Sequence, residues 1–395
     1  MTERLYYTDA YVKEFDAELR QLVALEDGRR AAILDRTAFY PTSGGQPFDT
    51  GTLGGARVSD AIDSDDGTVF HVVEGNVEVG PVRGRIDWER RFEHMQQHTG
   101  QHVLSAAFDR LLTARTVSFH LGSVTSTIDL ARETLPSEIH RAELEANRVV
   151  WEDRPVSIRF VDPDEAAQLP LRKEPVREGR LRLVDVQDFD LSACGGTHVS
   201  RTGAIGAIVV SGWERFRGGT RVEFVCGNRA LRSHQSLRDA VAASIKLLSV
   251  APSELPSAIE RVQTDARDLK QQVKDLHARL ASFEADTLAT RAEHLAQARV
   301  VLAALEGLDG GGLKAIAAAI VERPGHAAVL VSAPPPSAAV VARAADLTLN
   351  SAAILKALVA AHGGRGGGRA QLAQGGGLSG TTEDMLALAR SLLSS

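Results

Sequence analysis

Four side chains in two separated segments have the types and spacing that bind a transition metal. His98 and His102 are four residues apart in "HTGQH", and Cys194 and His198 are four apart in "CGGTH". Residues four apart share one face of a helix, so the two imidazoles of the first segment can point at one ion. A thiolate combined with imidazoles favours Zn²⁺, and the pattern predicts one zinc ion per chain.

Each motif alone has an ordinary structural interpretation. A histidine pair on an amphipathic helix lies more often in a core or on a surface, and a third histidine, His94, stands one turn back on the same stripe. The two glycines of "CGGTH" would let the backbone turn so that both ends of the motif point inward. Both motifs together, in a chain with two cysteines, favour a metal site, which could be purely structural. Cys226 is interpreted as a buried strand cysteine.

The composition is that of a globular protein with two to four domains. The chain has 395 residues, 44% hydrophobic and 24% charged. It contains no apolar run long enough to span a membrane, and the charged and aromatic start "MTERLYYTDAYVKEF" does not resemble a secretory signal. Two cysteines do not make a disulfide framework, so we expect a cytoplasmic protein.

The net charge of −6 argues weakly against nucleic-acid binding, but it is unevenly distributed. Residues 1–80 carry seven basic and 15 acidic side chains, and the rest of the chain is close to balanced. A balanced segment permits a local basic face for a nucleic acid without demonstrating one.

Hydrophobic spacing predicts an α+β protein that begins with a small β domain. Residues 1–85 are short apolar runs broken by turn signals, which is typical of a small antiparallel β domain. Residues 86–228 are predicted to form an α+β domain that carries the zinc site. Within it, helices are expected near 86–110 and 137–151, and mainly strands over 115–130 and 155–225.

Residues 229–300 are predicted to form a helical spacer. A helix over 229–249 ends before Pro252, and Ser253 is the expected N-cap of the next helix. From Leu255 to Phe283 apolar residues recur at alternating intervals of four and three, which is a coiled-coil seam. The seam could pack on the preceding helix or form a homodimer.

Residues 301–395 are predicted to form an α/β domain. "AAVLVSA" (327–333) has the pattern of a buried strand, and helices are expected near 312–322, 350–361 and 381–393. The glycine-rich stretch "HGGRGGGRAQLAQGGG" (362–377) is either a flexible connector or a segment that approaches RNA phosphates, with Arg365 and Arg369 as the tRNA-binding residues.

Several motifs, in order along nearly the whole chain, resemble one known family. "FYPTSGGQPFDTG", "RFEHMQQHTGQHVLS", "VSFHLGSVTSTIDL" and "DFDLSACGGTHVSRTGAIG" are similar to the barrel and editing domain of free-standing alanyl-tRNA editing proteins, which are related to alanyl- and threonyl-tRNA synthetases. "GGGRAQLAQGGG" resembles the C-terminal DHH-associated domain of alanyl-tRNA synthetase. The chain is therefore identified as a long-form member of the editing family.

The resemblance implies a set of site residues. It makes His98, His102, Cys194 and His198 the zinc ligands and gives Asp188 no clear role. The same motifs imply the residues of the amino-acid pocket. Gln101 and His120 are the catalytic candidates. The expected substrate-binding residues are Thr99, Ser118, Gly122, Ser123 and Thr197.

The implied activity is hydrolysis of an aminoacyl ester on mischarged tRNA(Ala), with serine or glycine as the wrong amino acid. No G-x-x-x-x-G-K-[ST] loop is present, so we expect no use of ATP. A hydrophobic pocket rejects an added hydroxyl by only about 10²-fold, which is why a second, hydrolytic site is needed. The alternatives are a non-catalytic, zinc-stabilised tRNA-binding module and a general metal-dependent hydrolase of small esters.

Overall fold

The computed structural model describes residues 1–172 and 179–394, which form two compact units, Met1–Ala243 and Ser244–Ser395. Part of the stretch predicted as strands, residues 173–178, lies outside the described residues. Among the described helices, none has the length and apolar character needed to cross a membrane.

The N-terminal segment folds as the predicted small β-barrel. Strands β2, β3, β7, β6, β5 and β8 close on one another in that order, and β1 pairs with β4 beside them. Alternation in β2 points Phe15, Ala17 and Leu19 into the barrel core. The strands are β1 (Glu3–Arg4), β2 (Glu14–Ala24), β3 (Arg30–Leu34), β4 (Arg36–Thr37), β5 (Gly51–Leu53), β6 (Ala56–Asp63), β7 (Val69–Glu74) and β8 (Gly80–Ile86).

The next segment wraps two antiparallel sheets around a buried helix. One sheet has the order β14-β15-β10-β9 and the other β11-β12-β13, and α1 lies in their common core. The elements are α1 (Trp88–Leu112), β9 (Thr116–Leu121), β10 (Ser126–Leu130), α2 (Pro136–Trp151), β11 (Val156–Val161), α3 (Pro163–Ala166), β12 (Leu181–Val186), β13 (Asp190–Ala193), β14 (Ile208–Phe216) and β15 (Gly219–Cys226).

Helix α1 is fixed to the barrel at its first turn. The Asp87 side chain accepts a hydrogen bond from the Arg90 amide, which caps the helix. One turn on, Arg91 forms a fully buried ion pair with Asp49 and also donates to the Ala10 carbonyl oxygen at 2.9 Å. Removing one partner of such a pair would leave a buried charge uncompensated, so this contact sets where α1 leaves the barrel.

The C-terminal unit is the predicted α/β domain. Its sheet has the order β16-β17-β18-β19-β21-β20, with β17 and β18 parallel and the other neighbours antiparallel. The remaining elements are α4 (Gly227–Leu248), α5 (Leu255–Ala289), β16 (Glu293–Leu295), β17 (Ala298–Glu306), α6 (Gly310–Val321), β18 (His326–Ala333), β19 (Ser337–Arg343), α7 (Ser351–His362), β20 (Arg365–Gly368), β21 (Leu372–Leu378) and α8 (Thr382–Ser394).

Two details of this unit differ from the sequence predictions. Ser253 is not an N-cap, because Pro252 starts a short 3₁₀ turn in which Ser253 is already helical and Glu254 accepts the hydrogen bond of the Ala251 amide. The connector interpretation of residues 362–377 is wrong, because this stretch contains β20 and β21, which pair antiparallel. Glycines allow that pairing to be close: a Cβ on Gly366 would lie 2.6 Å from the Gly375 Cα.

The seam of α5 is exposed along most of its length. From Ile259 to Phe283 its apolar residues are exposed, whereas Ala281, Ala285 and Leu288 pack against α6 and the sheet. Within the described part of the chain the seam therefore has no covering partner, and the coiled-coil homodimer stays a prediction.

Candidate metal centre and its cavity

The four predicted donors meet in one buried cluster. His98 and His102 lie on α1, and Cys194 and His198 lie in the loop that follows β13, with their donor atoms all within 4.8 Å of one another. The Cys194 Sγ is 3.4 Å from the His98 Nε2 and 3.3 Å from the His198 Nε2. Bond lengths of about 2.3 Å to sulfur and 2.0–2.1 Å to nitrogen give tetrahedral edges of about 3.5 Å, so the cluster has the size of a zinc site.

Each histidine has its Nδ1 occupied, which leaves its Nε2 for a metal. The His98 Nδ1–H donates to the Gln46 Oε1 at 2.8 Å, and the His102 Nδ1–H donates to the Asp190 carboxylate at 2.9 Å. Such partners fix the ring and raise the basicity of the free nitrogen. The residues present therefore fit a bound zinc ion.

The third histidine is oriented by a hydroxyl group. The Thr99 hydroxyl donates to the Met95 carbonyl oxygen at 2.8 Å, so its oxygen is free to accept from the His198 Nδ1 at 3.2 Å. The same oxygen accepts from the Val199 amide, 3.1 Å away. Thr99 thus holds a ligand in place and does not line the cavity.

The charges of the cluster suit metal binding. Burial favours the neutral thiol, but His98 and His198 outweigh it and hold the pKa of Cys194 well below its usual value. Burial lowers the pKa of His198 to about 3, so its imidazole is neutral at physiological pH. Burial also opposes the charged form of His102, but the hydrogen bond to Asp190 raises its pKa to about 9. A metal would therefore displace a proton from His102.

The glycines of "CGGTH" serve packing and not a special backbone angle. The loop turns as the sequence predicts, with the Cys194 Sγ 3.3 Å from the His198 Nε2, but neither glycine has a positive φ. A Cβ on Gly196 would lie 2.2 Å from the His98 Cε1, whereas one on Gly195 would meet nothing closer than the Tyr7 hydroxyl at 3.8 Å. Only Gly196 is required, because the His98 ring packs directly on its Cα. Cys226 lies under Gly100 in the same way, 2.3 Å from where a Cβ would be, and is buried as expected.

Gln46 is a functional residue that sequence reasoning missed. Gly44 and Gly45 have positive φ in a tight Ser43–Gln46 turn, which presents the Gln46 side chain to the metal cluster. Besides accepting from His98, its Oε1 accepts from the Thr197 amide at 3.1 Å, and its Nε2 donates to the Thr197 hydroxyl at 2.8 Å. Thr197 therefore supports the cluster from behind and does not line the cavity.

Asp190 was also missed, although a signal was available. Asp188, to which the family resemblance gives no clear role, is exposed in the hairpin between β12 and β13 with a φ of 56°. Asp190, Ser192 and Cys194 alternate along the chain, and residues two apart in a strand share one face. That alternation would have placed Asp190 on the side of the metal. Arg172 forms an ion pair with the same carboxylate at 2.6 Å.

One cavity of about 430 Å³ borders the cluster. Its wall includes His98, His102 and Cys194, together with Gln101 and Ser118 from the predicted pocket set. The buried Gln101 donates from Nε2 to the Ser105 hydroxyl at 2.8 Å, and its Oε1 has no hydrogen-bond partner among the described residues. A buried acceptor of this kind favours a ligand that donates a hydrogen bond.

The remaining predicted pocket residues lie away from this wall. His120 is exposed two residues beyond Ser118 on β9 and does not line the cavity. Gly122 and Ser123 follow in the turn between β9 and β10, where the Gly122 carbonyl oxygen accepts from the Arg229 guanidinium at 2.7 Å. Their proposed contacts with substrate stay predictions.

The two candidate tRNA-binding arginines lie in the second unit. Arg365 is the first residue of β20 and Arg369 follows its last, and both side chains are exposed. Because β20 is the last strand of its sheet, one side of this glycine-rich edge is open to a ligand.

The fold and the buried cluster of one thiol and three imidazoles define the class of protein. Residues 181–223 match the family described as "Threonyl and Alanyl tRNA synthetase second additional domain", and residues 297–395 match the DHHA1 domain. The chain is 32% identical, over 391 residues, to "Alanyl-tRNA editing protein AlaX-L" of Pyrococcus horikoshii, covering 95% of this chain and 94% of that protein. The chain belongs to this alanyl-tRNA editing family.

The chain also resembles part of alanine–tRNA ligases. It is 34% identical to that of Pyrococcus abyssi and 36% identical to that of Halobacterium salinarum, covering 95% of this chain in each case. It spans only 42% of the length of either ligase. A solved C-Ala domain of the Aquifex aeolicus alanyl-tRNA synthetase is similar over 26% of this chain, with 21% identity and a TM-score of 0.25, too slight a likeness to bear on the fold.

Proposed function

We propose that this protein hydrolyses the ester between a wrong amino acid and tRNA(Ala), with serine as the main substrate and glycine as a second. One Zn²⁺ per chain, held by His98, His102, Cys194 and His198, completes the site. The observation that carries the proposal is the common wall shared by this cluster and the buried, unpartnered acceptor of Gln101. Relatives of the chain are named for alanyl-tRNA editing and ligation.

Discrimination against alanine follows from the acceptor. The serine hydroxyl can donate to the Gln101 Oε1, whose amide is held by the Ser105 hydroxyl. Alanine offers no donor at that atom and leaves it unpaired, at a cost of about 1–3 kcal/mol. Glycine lacks the hydroxyl as well, so we expect it to be cleaved more slowly than serine.

The chain's own residues set up the hydrolysis. A bound zinc ion supplies positive charge, either to activate a water molecule or to anchor the substrate. Asp190, Gln46 and Thr99 keep the three imidazoles turned toward one point. The Ser118 hydroxyl borders the cavity and can contact the ribose or the ester. The side chain of His120 lies outside the cavity wall. Its predicted role, orienting the attacking water, therefore requires β9 to shift when the substrate binds.

The exposed edge of the C-terminal sheet is proposed to hold the tRNA. Arg365 begins and Arg369 follows a strand of glycines, where a phosphate backbone can approach the chain without side-chain obstruction. Replacing both with glutamine should weaken binding of tRNA(Ala) without changing the zinc content. A tRNA affinity equal to that of the unaltered protein would remove this edge from the proposal.

The activity is tested with tRNA(Ala) charged with serine, glycine or alanine. The zinc-loaded protein should release serine fastest and leave alanine in place, and Cys194→Ser should lose both metal and activity. Cys226→Ala, which removes the other thiol, is the matched control and should keep both. A zinc-loaded protein that binds the tRNA but cleaves none of the three esters would instead be a binding module. Equal rates on free seryl esters would indicate a general esterase.

A further inference from the structure

The cavity beside the metal cluster also contains a buried guanidinium whose hydrogen bonds are incomplete. Arg182 on β12 is 8% exposed, and it donates from Nε to the Tyr7 carbonyl oxygen at 3.0 Å and from Nη1 to the Cys194 carbonyl oxygen at 2.7 Å. Its Nη2 is buried and has no hydrogen-bond partner among the described residues. A buried, permanently charged group left partly unpaired calls for an acceptor that a ligand would supply.

The charge of the cavity points to an anion. Arg4, Arg172, Arg180 and Arg182 all line it, and its described lining contains no Asp or Glu. Two of the four arginines form ion pairs with carboxylates that do not line the cavity. Arg4 pairs with Asp63 at 2.5 Å, and Arg172 pairs with Asp190. Arg180 and Arg182 have no carboxylate partner among the described residues, and these two cations outnumber the one anionic group of the described lining, the Cys194 thiolate.

A second unpartnered group lines the same wall. The Tyr6 side chain is fully buried, and its hydroxyl makes no hydrogen bond of normal geometry among the described residues. Burial raises the pKa of this hydroxyl, and the nearby Arg4 guanidinium opposes that rise. Tyr6 and Arg182, which both line the cavity, thus carry an O–H and an N–H without a partner. Two donors and surplus positive charge match a ligand with several anionic oxygens, which is the character of a phosphate group.

We propose that Arg182, with Arg180 and the Tyr6 hydroxyl, binds the phosphodiester that joins the aminoacylated terminal nucleotide to the one before it. The inference rests on the proposed function and extends it to a defined part of the substrate. Because Arg182 holds the backbone of Cys194, the guanidinium lies beside the metal-binding loop. A phosphate at Arg182 and an ester at the metal cluster can thus belong to one nucleotide.

The test compares esters with and without the phosphate. The substrates are 3′-O-seryl-adenosine, its 5′-phosphate and seryl-tRNA(Ala), and the variants are Arg182→Gln and Arg182→Lys. Arg182→Gln should lower kcat/KM for the two phosphate-bearing substrates by about 10- to 100-fold more than for seryl-adenosine, the range for hydrogen bonds to charged groups, while any loss of support for the Cys194 loop should lower all three rates alike. Arg182→Lys should restore part of the loss, since it keeps the charge without the fork of donors.

Arg159→Gln is the matched control. Arg159 is an exposed residue of the neighbouring strand β11, where it lies next to Phe160, which pairs with Arg182, and it is not part of the lining. Its loss should affect none of the three substrates. An equal loss on all three substrates in Arg182→Gln would show that Arg182 only supports the Cys194 loop, and the inference would be overturned.

Two further readouts separate the remaining outcomes. The product serine also carries an anionic group, so loss of inhibition by free serine with no change in phosphate dependence would assign Arg182 to the carboxylate and overturn the inference. If the unaltered protein cleaves no seryl-tRNA, the proposed function is wrong, and the phosphate subsite needs a separate test. The subsite is then tested by binding of AMP against adenosine: a preference for AMP that Arg182→Gln removes supports it, and equal affinity refutes it.

Discussion

The metal cluster and the rest of the cavity wall differ in how their buried polar atoms are satisfied. In the cluster, each histidine Nδ1 has a partner, supplied by Gln46, Asp190 or Thr99. In the wall, Gln101 Oε1 and Arg182 Nη2 are buried without one among the described residues. A buried polar atom without a partner costs about 1–3 kcal/mol.

The site therefore has one part whose polar atoms are paired within the protein, the metal cluster, and one part with unpaired polar atoms, the cavity wall. The cluster is oriented by side chains from the barrel, α1 and β13. In the wall, the proposed substrate would supply hydrogen-bond partners for Gln101 Oε1 and Arg182 Nη2. Changes in the cluster should therefore alter metal content, whereas changes in the wall should alter substrate choice at constant metal content.

The largest effect is expected from a methyl group placed in the cluster. Gly196→Ala puts a Cβ 2.2 Å from the His98 Cε1 and 2.9 Å from the Gln46 Oε1, so the ring must move away from the metal. We expect the variant to bind no zinc and to lose deacylation, measured by metal analysis of the purified protein. Gly195→Ala, with 3.8 Å of clearance, should behave like the unaltered protein. Full zinc occupancy in Gly196→Ala would contradict the expectation that changes in the cluster alter the metal content.

A smaller effect is expected when a ring loses its orienting carboxylate. Asp190→Asn removes the negative charge that accepts from His102 and should weaken zinc binding by about 10- to 100-fold. The measurement is a competition titration with a chelator of known affinity. The control is Asp188→Asn, because Asp188 is exposed and asparagine tolerates its positive φ. If the two variants have the same zinc affinity, Asp190 does not support the metal.

A change in the cavity wall should alter the preference between substrates and leave the zinc content unchanged. Gln101→Met keeps a side chain of similar length but removes the acceptor, so it should reduce cleavage of seryl-tRNA by about 5- to 100-fold. Cleavage of glycyl-tRNA should fall less, since glycine has no hydroxyl to lose a partner. Zinc content should equal that of the unaltered protein. A parallel fall of both substrates, or loss of zinc, would contradict the division between cluster and wall.

The smallest effect should come from the residue behind Gln101. Ser105→Ala removes the hydroxyl that accepts from the Gln101 Nε2 at 2.8 Å, which frees the amide to rotate. The preference for serine over glycine should fall by a few-fold, as expected for a hydrogen bond worth about 1 kcal/mol. Rates on the two charged tRNAs measure it. A preference unchanged within error would mean that the amide is held by packing alone.

The parts of the molecule that rest on local patterns could be predicted from the sequence. Turn signals indicated a small antiparallel β domain, which the family resemblance made a barrel, helical spacing indicated α1, and alternation of helices with strands indicated the C-terminal α/β unit. The donors His98, His102, Cys194 and His198 were predicted from residue type and spacing, and they come together. Zinc chemistry restricts the choice of donors so strongly that a few residues suffice.

What could not be predicted depends on contacts between distant segments. Gln46 meets His98 across 52 positions, and no local pattern distinguishes it from other polar turn residues. Arg182 alternates with apolar neighbours in β12, which is typical of an exposed residue, whereas its side chain is buried beside Cys194. His120 has an imidazole that could orient a water molecule, but it lies two residues beyond Ser118 on β9 and outside the cavity wall.

The turn that carries Gln46 links the state of the barrel to the state of the metal. One amide joins a loop of the N-terminal barrel, a ring on the central helix and the backbone of Thr197, 151 positions away. A zinc ion at this cluster would be held tightly only after these three parts of the polypeptide have assembled. A chain without its barrel would then hold zinc loosely, so we expect tight retention of the ion to accompany completed folding.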